Sequence, residues 1–214
     1  MGQSPAGPLR ADYPQAIACY REPCMMSPDP MTLAMQQSPI GKLQLFTADI
    51  KISHTLFALP WALLATFLAA DGLPSISVLL LILGCMVTAR TFAMSANRLF
   101  DAKLDAINPR TARRAIPSGR LSANFYRVIL SICGIGFLIL CAGFWFVSSN
   151  FWPILLAPAV LIYLGGYPFM KRCTRFCHYY LGGALALAPV CAYLAVKGSL
   201  APAPWLMFAT VLTW

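Results

Sequence analysis

Long apolar runs separated by short polar turns dominate the sequence from about residue 54 onwards. A helix needs about 20 consecutive apolar residues to cross the hydrocarbon core of a bilayer, and about 17 is the lower limit. We therefore expect five complete membrane spans, over roughly His54 to Ala70, Ile76 to Asn97, Ala123 to Phe146, Phe151 to Phe169 and His178 to Val196. The pattern predicts an all-α, polytopic transmembrane helix bundle.

Turn residues and a shorter run complete this pattern. We expect the fourth span to end at Tyr167-Pro168 and the fifth to be broken by Gly182-Gly183 and Pro189, because Gly and Pro interrupt helices. A sixth apolar run begins near Pro204 and stops at Trp214. That run is too short to cross a bilayer.

The first part of the chain has a different character. Residues 1–40 are rich in Pro, Gln, Ser and Met and lack periodicity, so we expect a disordered N-terminal extension. Gly41 to Ser53 has the pattern of an amphipathic segment at the membrane surface. Residues 41–214 would then form the transmembrane domain.

Composition agrees with a membrane protein, since 59% of the 214 residues are hydrophobic and only 11% are charged. A soluble domain carries about 25% charged residues. The net charge of +9 could indicate a nucleic-acid partner, but the basic residues lie in short loops between apolar runs. All of the 16 Lys and Arg residues except Arg90 and Lys197 fall in the N-terminal segment, residues 98–127 or residues 171–175. The positive-inside rule places these three segments in the cytoplasm, and we expect no nucleic-acid partner.

Polar side chains concentrate between Arg90 and Ser122. Asn97, Asp101 and Asp105 follow one another at four-residue intervals, and Arg90 lies seven residues before Asn97. Residues spaced in this way share one face of a helix. Two carboxylates on one face can hold Mg²⁺, which prefers oxygen ligands and completes its shell with water and phosphates. The alternative is a solvated polar face at a helix end, next to a loop that only sets membrane topology.

Basic residues follow this acidic face directly. They are Lys103, Arg110, Arg113, Arg114 and Arg120. Arginine and lysine supply the charge and the hydrogen-bond donors that a diphosphate requires. The combination of a carboxylate pair with these cations predicts a membrane enzyme that handles a diphosphate ester.

The motifs also resemble those of a known family. Asn97-x3-Asp101-x3-Asp105, followed by Asn108-Pro109-Arg110-Thr111 and Arg114-Ala115-Ile116-Pro117-Ser118-Gly119, resembles the first aspartate-rich motif of UbiA-type intramembrane aromatic prenyltransferases. The segment Tyr163-x3-Tyr167-Pro168-x2-Lys171-Arg172-x-Thr174 is similar to their later tyrosine-rich, basic loop. The resemblance covers roughly Gly41 to Trp214. It is closest to 4-hydroxybenzoate polyprenyltransferases and their relatives in menaquinone synthesis, because of the segment His54 to Pro60 and of Lys171-Arg172-x-Thr174.

The resemblance implies a nine-helix bundle in the bacterial inner membrane and a Mg²⁺-dependent reaction. A polyprenyl group would pass from its diphosphate to a ring carbon of an aromatic acid such as 4-hydroxybenzoate, in quinone biosynthesis. Asp101 and Asp105 would hold the metal, with Asn97 and Arg90 as further catalytic residues. Arg90 would either pair with Asp101 or bind the acceptor carboxylate. The implied substrate-binding residues are Arg110, Arg114, Lys171, Arg172, Tyr163, Tyr167 and His54.

One feature of the family is missing from this sequence. The family has a second acidic motif on a later helix, but the remaining acidic residues all precede Asp101 and form no four-spaced pair: Asp12, Glu22, Asp29, Asp49 and Asp71. We therefore expect the chain to be the N-terminal portion of such an enzyme. The alternative is an inactive remnant that binds prenyl diphosphate.

A CDP-alcohol phosphotransferase is a further alternative, because those enzymes also place paired Asp residues at a membrane helix end. The spacing disfavours it. Asp71-Gly72 and Ala89-Arg90 are too far apart for that motif, and no glycine falls between Arg90 and Asp101.

Overall fold

The computed structural model describes residues 38–50 and 58–213. Its ordered elements are all helices, which confirms the predicted class: α1 Pro39–Asp49, α2 Leu59–Ala69, α3 Ile76–Ile107, α4 Ala123–Ser148, α5 Trp152–Cys173, α6 Cys177–Lys197 and α7 Pro202–Thr213. The amphipathic segment predicted at Gly41 to Ser53 corresponds to α1. This helix begins at Pro39, slightly inside the extension that we predicted to be disordered, and residues 1–37 lie outside the described ranges.

Four of these helices, α3 to α6, are long and apolar enough to cross a membrane. The predicted first span corresponds to α2, which has only 11 residues in the described chain, and its predicted start at His54 lies outside that part. The short run near Pro204 forms the 12-residue α7. The described residues therefore contain four long spans and two shorter apolar helices.

Serine side chains cap the start of two of the long helices, and residues in the left-handed conformation end two of them. Ser75 and Ser122 cap α3 and α4, since their hydroxyls accept from the backbone N–H groups of Val78 and Phe125. Ser149, at φ 51°, ends α4. Gly198, at φ 70°, ends α6, and glycine adopts this conformation at little cost.

The predicted helix end at Tyr167-Pro168 and the predicted breaks at Gly182-Gly183 and Pro189 are wrong. Helix α5 continues through Pro168 to Cys173, and α6 continues through Gly182-Gly183 and Pro189 to Lys197. Membrane helices tolerate Pro and Gly because neighbouring helices satisfy or shield the backbone groups that are released. As a consequence, Lys171 and Arg172 lie in the last turn of α5 rather than in a loop.

The bundle is organised around α3 and α6. Helix α3 packs against α4 and α5, while α6 packs against α2, α5 and α7. On α2 the small side chains of Ala62, Ala65 and Ala69 join Tyr193 of α6 and Phe144 of α4 in one buried cluster. Small residues allow membrane helices to approach closely, which explains this packing in a segment without polar contacts to drive it.

A second cluster fixes α1 to the segment between α3 and α4. Phe46 and Ile50 pack against Ala115, Leu121 and Tyr126, and the rings of Phe46 and Tyr126 meet edge to face with centroids 5.3 Å apart. This cluster covers the basic segment 108–122 from one side. The amphipathic helix is thereby part of the folded end that carries the polar motif.

At the end of the bundle away from Asp101 and Asp105, Asn150 connects the turn between α4 and α5 to the last turn of α6. Its side-chain Nδ2 donates to the carbonyls of Leu194 (2.7 Å) and Ala195 (2.9 Å), and its Oδ1 accepts from the N–H of Trp152. The residue is only 7% exposed. It therefore supplies a donor to the carbonyl of Ala195 and a second donor to that of Leu194, which also accepts from the N–H of Gly198 at 3.0 Å. Carbonyls in the last turn of a helix need such donors from outside the regular helical pattern.

We expect Asn150→Ala to destabilise the fold by about 1–3 kcal/mol, because the buried carbonyl of Ala195 loses its side-chain donor and that of Leu194 loses one of two donors. The apparent melting temperature in detergent should fall by several degrees. Asn124→Ala serves as the control, since Asn124 is exposed and its side chain bonds only a neighbouring arginine. Equal melting temperatures for the two variants would contradict the assigned role of Asn150.

Candidate functional site

The predicted acidic face exists as one face of α3. Asp101 and Asp105 lie in its last turns and are only 4% and 5% exposed. Asn97 lies one turn further into the bundle, and its Oδ1 is buried. Buried carboxylates are stable only when paired or hydrogen-bonded, and each of these two has a basic partner.

The partners of the two carboxylates come from different parts of the chain. Arg114 Nη1 lies 2.6 Å from Asp105 Oδ2. Lys171 Nζ and Arg172 Nη2 lie 3.4 and 3.3 Å from the two oxygens of Asp101. The end of α3, the segment that follows it and the end of α5 therefore converge on one charged site.

The two ion pairs of Asp101 are weak. Lys171 and Arg172 are 50% and 40% exposed, so water screens their attraction to Asp101, and each pair contributes at most about 1 kcal/mol. Arg172 Nη2 also donates to the carbonyl of Phe100 at 2.6 Å. Lys171 and Arg172 are thus held beside Asp101 but remain accessible to an incoming anion.

Segment 108–122 is a series of turns that presents Arg114 to α3. Thr111 Oγ1 donates to the carbonyl of Asp105 at 3.1 Å, and Ser118 Oγ donates to the carbonyl of Arg114 at 2.7 Å. The N–H of Leu121 closes the segment on the carbonyl of Ala115 at 3.0 Å. These bonds fix the backbone on both sides of Arg114, although the segment contains no helix.

An apolar cavity of about 180 Å³ lies next to the charged site. Its walls are side chains of α3 to α6, mostly Ala, Leu, Met, Cys and Phe, with Arg90, Asn97 and Tyr167 as polar members. Arg90 lies two helical turns, about 10 Å, below Asn97. Within the described residues, neither Arg90 Nε nor Asn97 Oδ1 has a hydrogen-bond partner.

The other predicted site residues are distributed as follows. Tyr167 lines the cavity. Arg110 is exposed in the first turn of segment 108–122, where its backbone N–H donates to Asn108 Oδ1. His54 lies outside the described residues.

Tyr163 pairs with a residue that the sequence did not single out, Tyr180 of α6. Their rings stack with centroids 4.2 Å apart. The hydroxyl of Tyr163 donates to the carbonyl of Tyr180, and that of Tyr180 donates to the carbonyl of Tyr163. This tyrosine pair joins α5 to α6, and each hydroxyl sits against a glycine, Gly166 or Gly183.

The structure also reveals a buried polar cluster beside the acidic face. Arg98 of α3 donates through Nε to Asp49 Oδ2 at 2.9 Å, and Tyr126 of α4 donates to the same oxygen at 2.7 Å. Removing one partner from a buried ion pair costs about 3–5 kcal/mol. Asp49 is a single aspartate in an amphipathic segment, without a second acidic residue at helical spacing to mark it as part of a site. Sequence patterns therefore did not predict this cluster.

The donor set of α3 fits a hard divalent cation. Asp101 and Asp105 offer carboxylate oxygens one turn apart, and the unpartnered Oδ1 of Asn97 adds a third oxygen on the same face. In the described part of the chain, no three His, Cys, Asp or Glu side chains group closely enough to hold a metal by themselves. A cation here would therefore need ligands from elsewhere, such as water or phosphate oxygens.

Comparison with known proteins identifies relatives for most of the chain. A family model described as "UbiA prenyltransferase family" matches residues 58–214. The 4-hydroxybenzoate octaprenyltransferases of Tolumonas auensis and Photobacterium profundum are 35% and 34% identical over 182 residues, or 85% of this chain and 57% of each relative. The apo structure of a UbiA homolog from Aeropyrum pernix K1 superposes with a TM-score of 0.68 at 27% identity, covering 76% of this chain and 60% of that one. The chain thus spans somewhat more than half the length of these relatives.

The tyrosine pair between α5 and α6 makes a specific prediction about Gly166. A Cβ at this position would lie 2.7 Å from the hydroxyl oxygen of Tyr180, so Gly166→Ala should lower the apparent melting temperature. Tyr180→Phe removes that oxygen, so the double variant should be more stable than the sum of the single effects implies. Gly136→Ala is the control, because its Cβ would meet only the Thr88 methyl group at 3.8 Å. Strictly additive effects would show that the two residues do not compete for space.

Proposed function

Since the chain belongs to the UbiA prenyltransferase family, we propose that it is part of a membrane enzyme that transfers a polyprenyl group from polyprenyl diphosphate to an aromatic acid. The acceptor is 4-hydroxybenzoate or a similar acid, and the new bond forms at a ring carbon. The 4-hydroxybenzoate octaprenyltransferases among its relatives support this choice of substrates. The product would serve quinone biosynthesis, by either the ubiquinone or the menaquinone route.

The observation that carries this proposal is the position of the charged site beside the apolar cavity. Arg114, Lys171 and Arg172 surround the paired carboxylates. The cavity begins one helical turn away, at Asn97. A prenyl diphosphate also consists of a charged part next to an apolar part, because it has an anionic head and a long hydrocarbon tail. The tail would enter the cavity while the head meets the cations.

Asp101 and Asp105 would hold Mg²⁺, with Asn97 orienting the site. When bound, Mg²⁺ supplies a Lewis acid that stabilises the negative charge on the departing diphosphate. Arg114, Lys171 and Arg172 donate charge-assisted hydrogen bonds to the same oxygens. These donors act where charge develops, so they lower the barrier to breaking the bond between prenyl carbon and diphosphate oxygen.

Arg90 would bind the carboxylate of the aromatic acceptor. Asp101 already has Lys171 and Arg172 as partners, which disfavours the alternative that Arg90 pairs with Asp101. Arg90 lines the cavity beside apolar side chains, where a planar ring can pack. The apolar walls would exclude water, which would otherwise react with the electron-deficient prenyl carbon.

The chain is an integral membrane protein, as its four long apolar helices and its family indicate. The clustering of Lys and Arg near α1, segment 108–122 and the end of α5 supports a cytoplasmic position for the charged site. The bacterial relatives support the bacterial inner membrane as its location. Membrane lipid would surround the bundle and deliver the prenyl diphosphate. Membership of the prenyltransferase family argues against a CDP-alcohol phosphotransferase.

We expect Asp101→Ala and Asp105→Ala each to abolish prenyl transfer, because each removes a carboxylate proposed to hold Mg²⁺. The measurement is transfer from octaprenyl diphosphate to 4-hydroxybenzoate in membranes that contain a full-length version of the enzyme of which this chain is part, with insertion checked by carbonate extraction. Asp71→Ala is the matched control, since Asp71 is exposed at the other end of α6, beside Lys197. If both site variants keep more than a few per cent of activity, the metal role is wrong. An inactive wild-type protein that still binds prenyl diphosphate would support the inactive-remnant alternative instead.

Arg114→Ala should mainly raise the KM for prenyl diphosphate and leave the KM for the acceptor unchanged, because Arg114 reaches Asp105 rather than the Arg90 end of the cavity. Loss of one charge-assisted hydrogen bond predicts a change of about tenfold or more. Arg127→Ala is the control, since Arg127 is exposed and, within residues 38–50 and 58–213, its side chain bonds only Asn124. A change confined to the acceptor would mean that segment 108–122 serves the other substrate.

A further inference from the structure

Asp49, at the end of α1, is the centre of a hydrogen-bond network that joins four segments of the chain. Its side chain is 9% exposed. Oδ2 accepts from Arg98 Nε at 2.9 Å and from the Tyr126 hydroxyl at 2.7 Å, and Oδ1 accepts from the N–H of Ala115 at 3.3 Å. The backbone carbonyl of Asp49 accepts from Arg98 Nη2 at 2.6 Å. Both carboxylate oxygens are therefore committed to bonds within the protein.

Two of these bonds reach the immediate neighbours of proposed site residues. Arg98 lies on α3 between Asn97 and Asp101. Ala115 directly follows Arg114, whose guanidinium contacts Asp105. Among the described residues, Asp49 thus contacts no side chain proposed to bind substrate. It bonds to the backbone beside Arg114 and to α3, the helix that carries both carboxylates.

We propose that Asp49 is a positioning residue for the prenyl diphosphate site, a role that rests on the proposed function. Its carboxylate fixes segment 108–122 at Ala115 against Arg98 of α3, so that Arg114 is held beside Asp105. An uncharged side chain leaves Arg98 buried without its counter-charge and weakens the acceptor for the Ala115 N–H. The segment then moves relative to α3, and Arg114 no longer meets the anion in the required geometry.

The competing explanation is that Asp49 only anchors α1 and contributes stability. The two explanations differ in their kinetics. A purely structural residue changes the amount of folded protein, and therefore the apparent kcat, without changing the KM for one substrate alone. A positioning residue changes the KM for prenyl diphosphate and interacts energetically with Arg114.

The experiment compares Asp49→Asn with Asp71→Asn in membranes, and octaprenyl diphosphate and 4-hydroxybenzoate are each varied in turn while the other is saturating. Asp71 is an exposed aspartate that also forms an ion pair, with Lys197 at the far end of α6, so it controls for the loss of one aspartate charge and its ion pair away from the site. We expect Asp49→Asn to raise the KM for prenyl diphosphate about tenfold, the scale of one charge-assisted hydrogen bond. The KM for the acceptor and both constants of Asp71→Asn should stay unchanged. An unchanged KM in Asp49→Asn overturns the proposal.

The double variant Asp49→Asn/Arg114→Ala tests whether Asp49 acts through Arg114. We expect its KM to resemble that of Arg114→Ala alone, because the arginine that Asp49 positions is already absent. Multiplying effects would mean that Asp49 acts independently, which contradicts the proposal. If Asp49→Asn does not fold, Tyr126→Phe replaces it, since this change removes one donor to Asp49 and leaves the charges intact. A smaller rise in the same KM is then expected, and no rise overturns the proposal.

A readout without substrate separates this inference from the proposed function. Limited trypsin digestion of the detergent-solubilised protein should cleave faster after the exposed Arg110 and Arg113 in Asp49→Asn than in wild type, because the segment is released from α3. If wild type transfers no prenyl group but this difference is present, the proposed function fails and the positioning of segment 108–122 stands. Equal cleavage rates in the two proteins overturn the positioning itself.

Discussion

The burial of two carboxylates one turn apart on α3 is the constraint on which the charged end of this protein depends. Asp101 and Asp105 are almost inaccessible, and an ionised carboxylate is costly to bury without a partner. The chain meets this requirement with cations from two distant segments, Arg114 from the turns after α3 and Lys171 with Arg172 from the end of α5. The same cations that stabilise the carboxylates are therefore already collected where a diphosphate would need them.

Contacts outside the charged site hold those segments in place. Helix α5 contains Pro168, which gives no backbone N–H, three residues before Lys171. The stacked pair of Tyr163 and Tyr180 binds α5 to α6 on the preceding turn. On the other side, Asp49 ties segment 108–122 to α3. Two sets of hydrogen bonds, those of the tyrosine pair and those of Asp49, thus hold the charged site, and neither set includes a side chain that contacts Asp101 or Asp105.

Sequence patterns predicted the parts of this arrangement that depend on local periodicity. The four-residue spacing of Asn97, Asp101 and Asp105 is a property of a single helix, so the shared face followed directly. The helix breaks predicted at Pro168, Gly182-Gly183 and Pro189 were wrong, because neighbouring helices in a bundle support a backbone that would be interrupted in water. The contact of Lys171 with Asp101 joins residues 70 positions apart. Such pairing depends on how whole helices pack. The family resemblance named both residues as members of one site but did not predict that they pair.

Arg90 illustrates how an unfavourable local feature can indicate function. A guanidinium inside an apolar cavity loses hydration, and such charges in membrane segments normally pair with one another or with backbone carbonyls. The carboxylate nearest along its helix face, Asp101, is already occupied by Lys171 and Arg172 at the accessible end of the site. Arg90 Nε has no partner among the described residues and faces the cavity walls. This cost agrees with the proposal that Arg90 binds an anionic group of the ligand, because a carboxylate on a planar aromatic ring would pair with the guanidinium while the ring packs against the apolar walls.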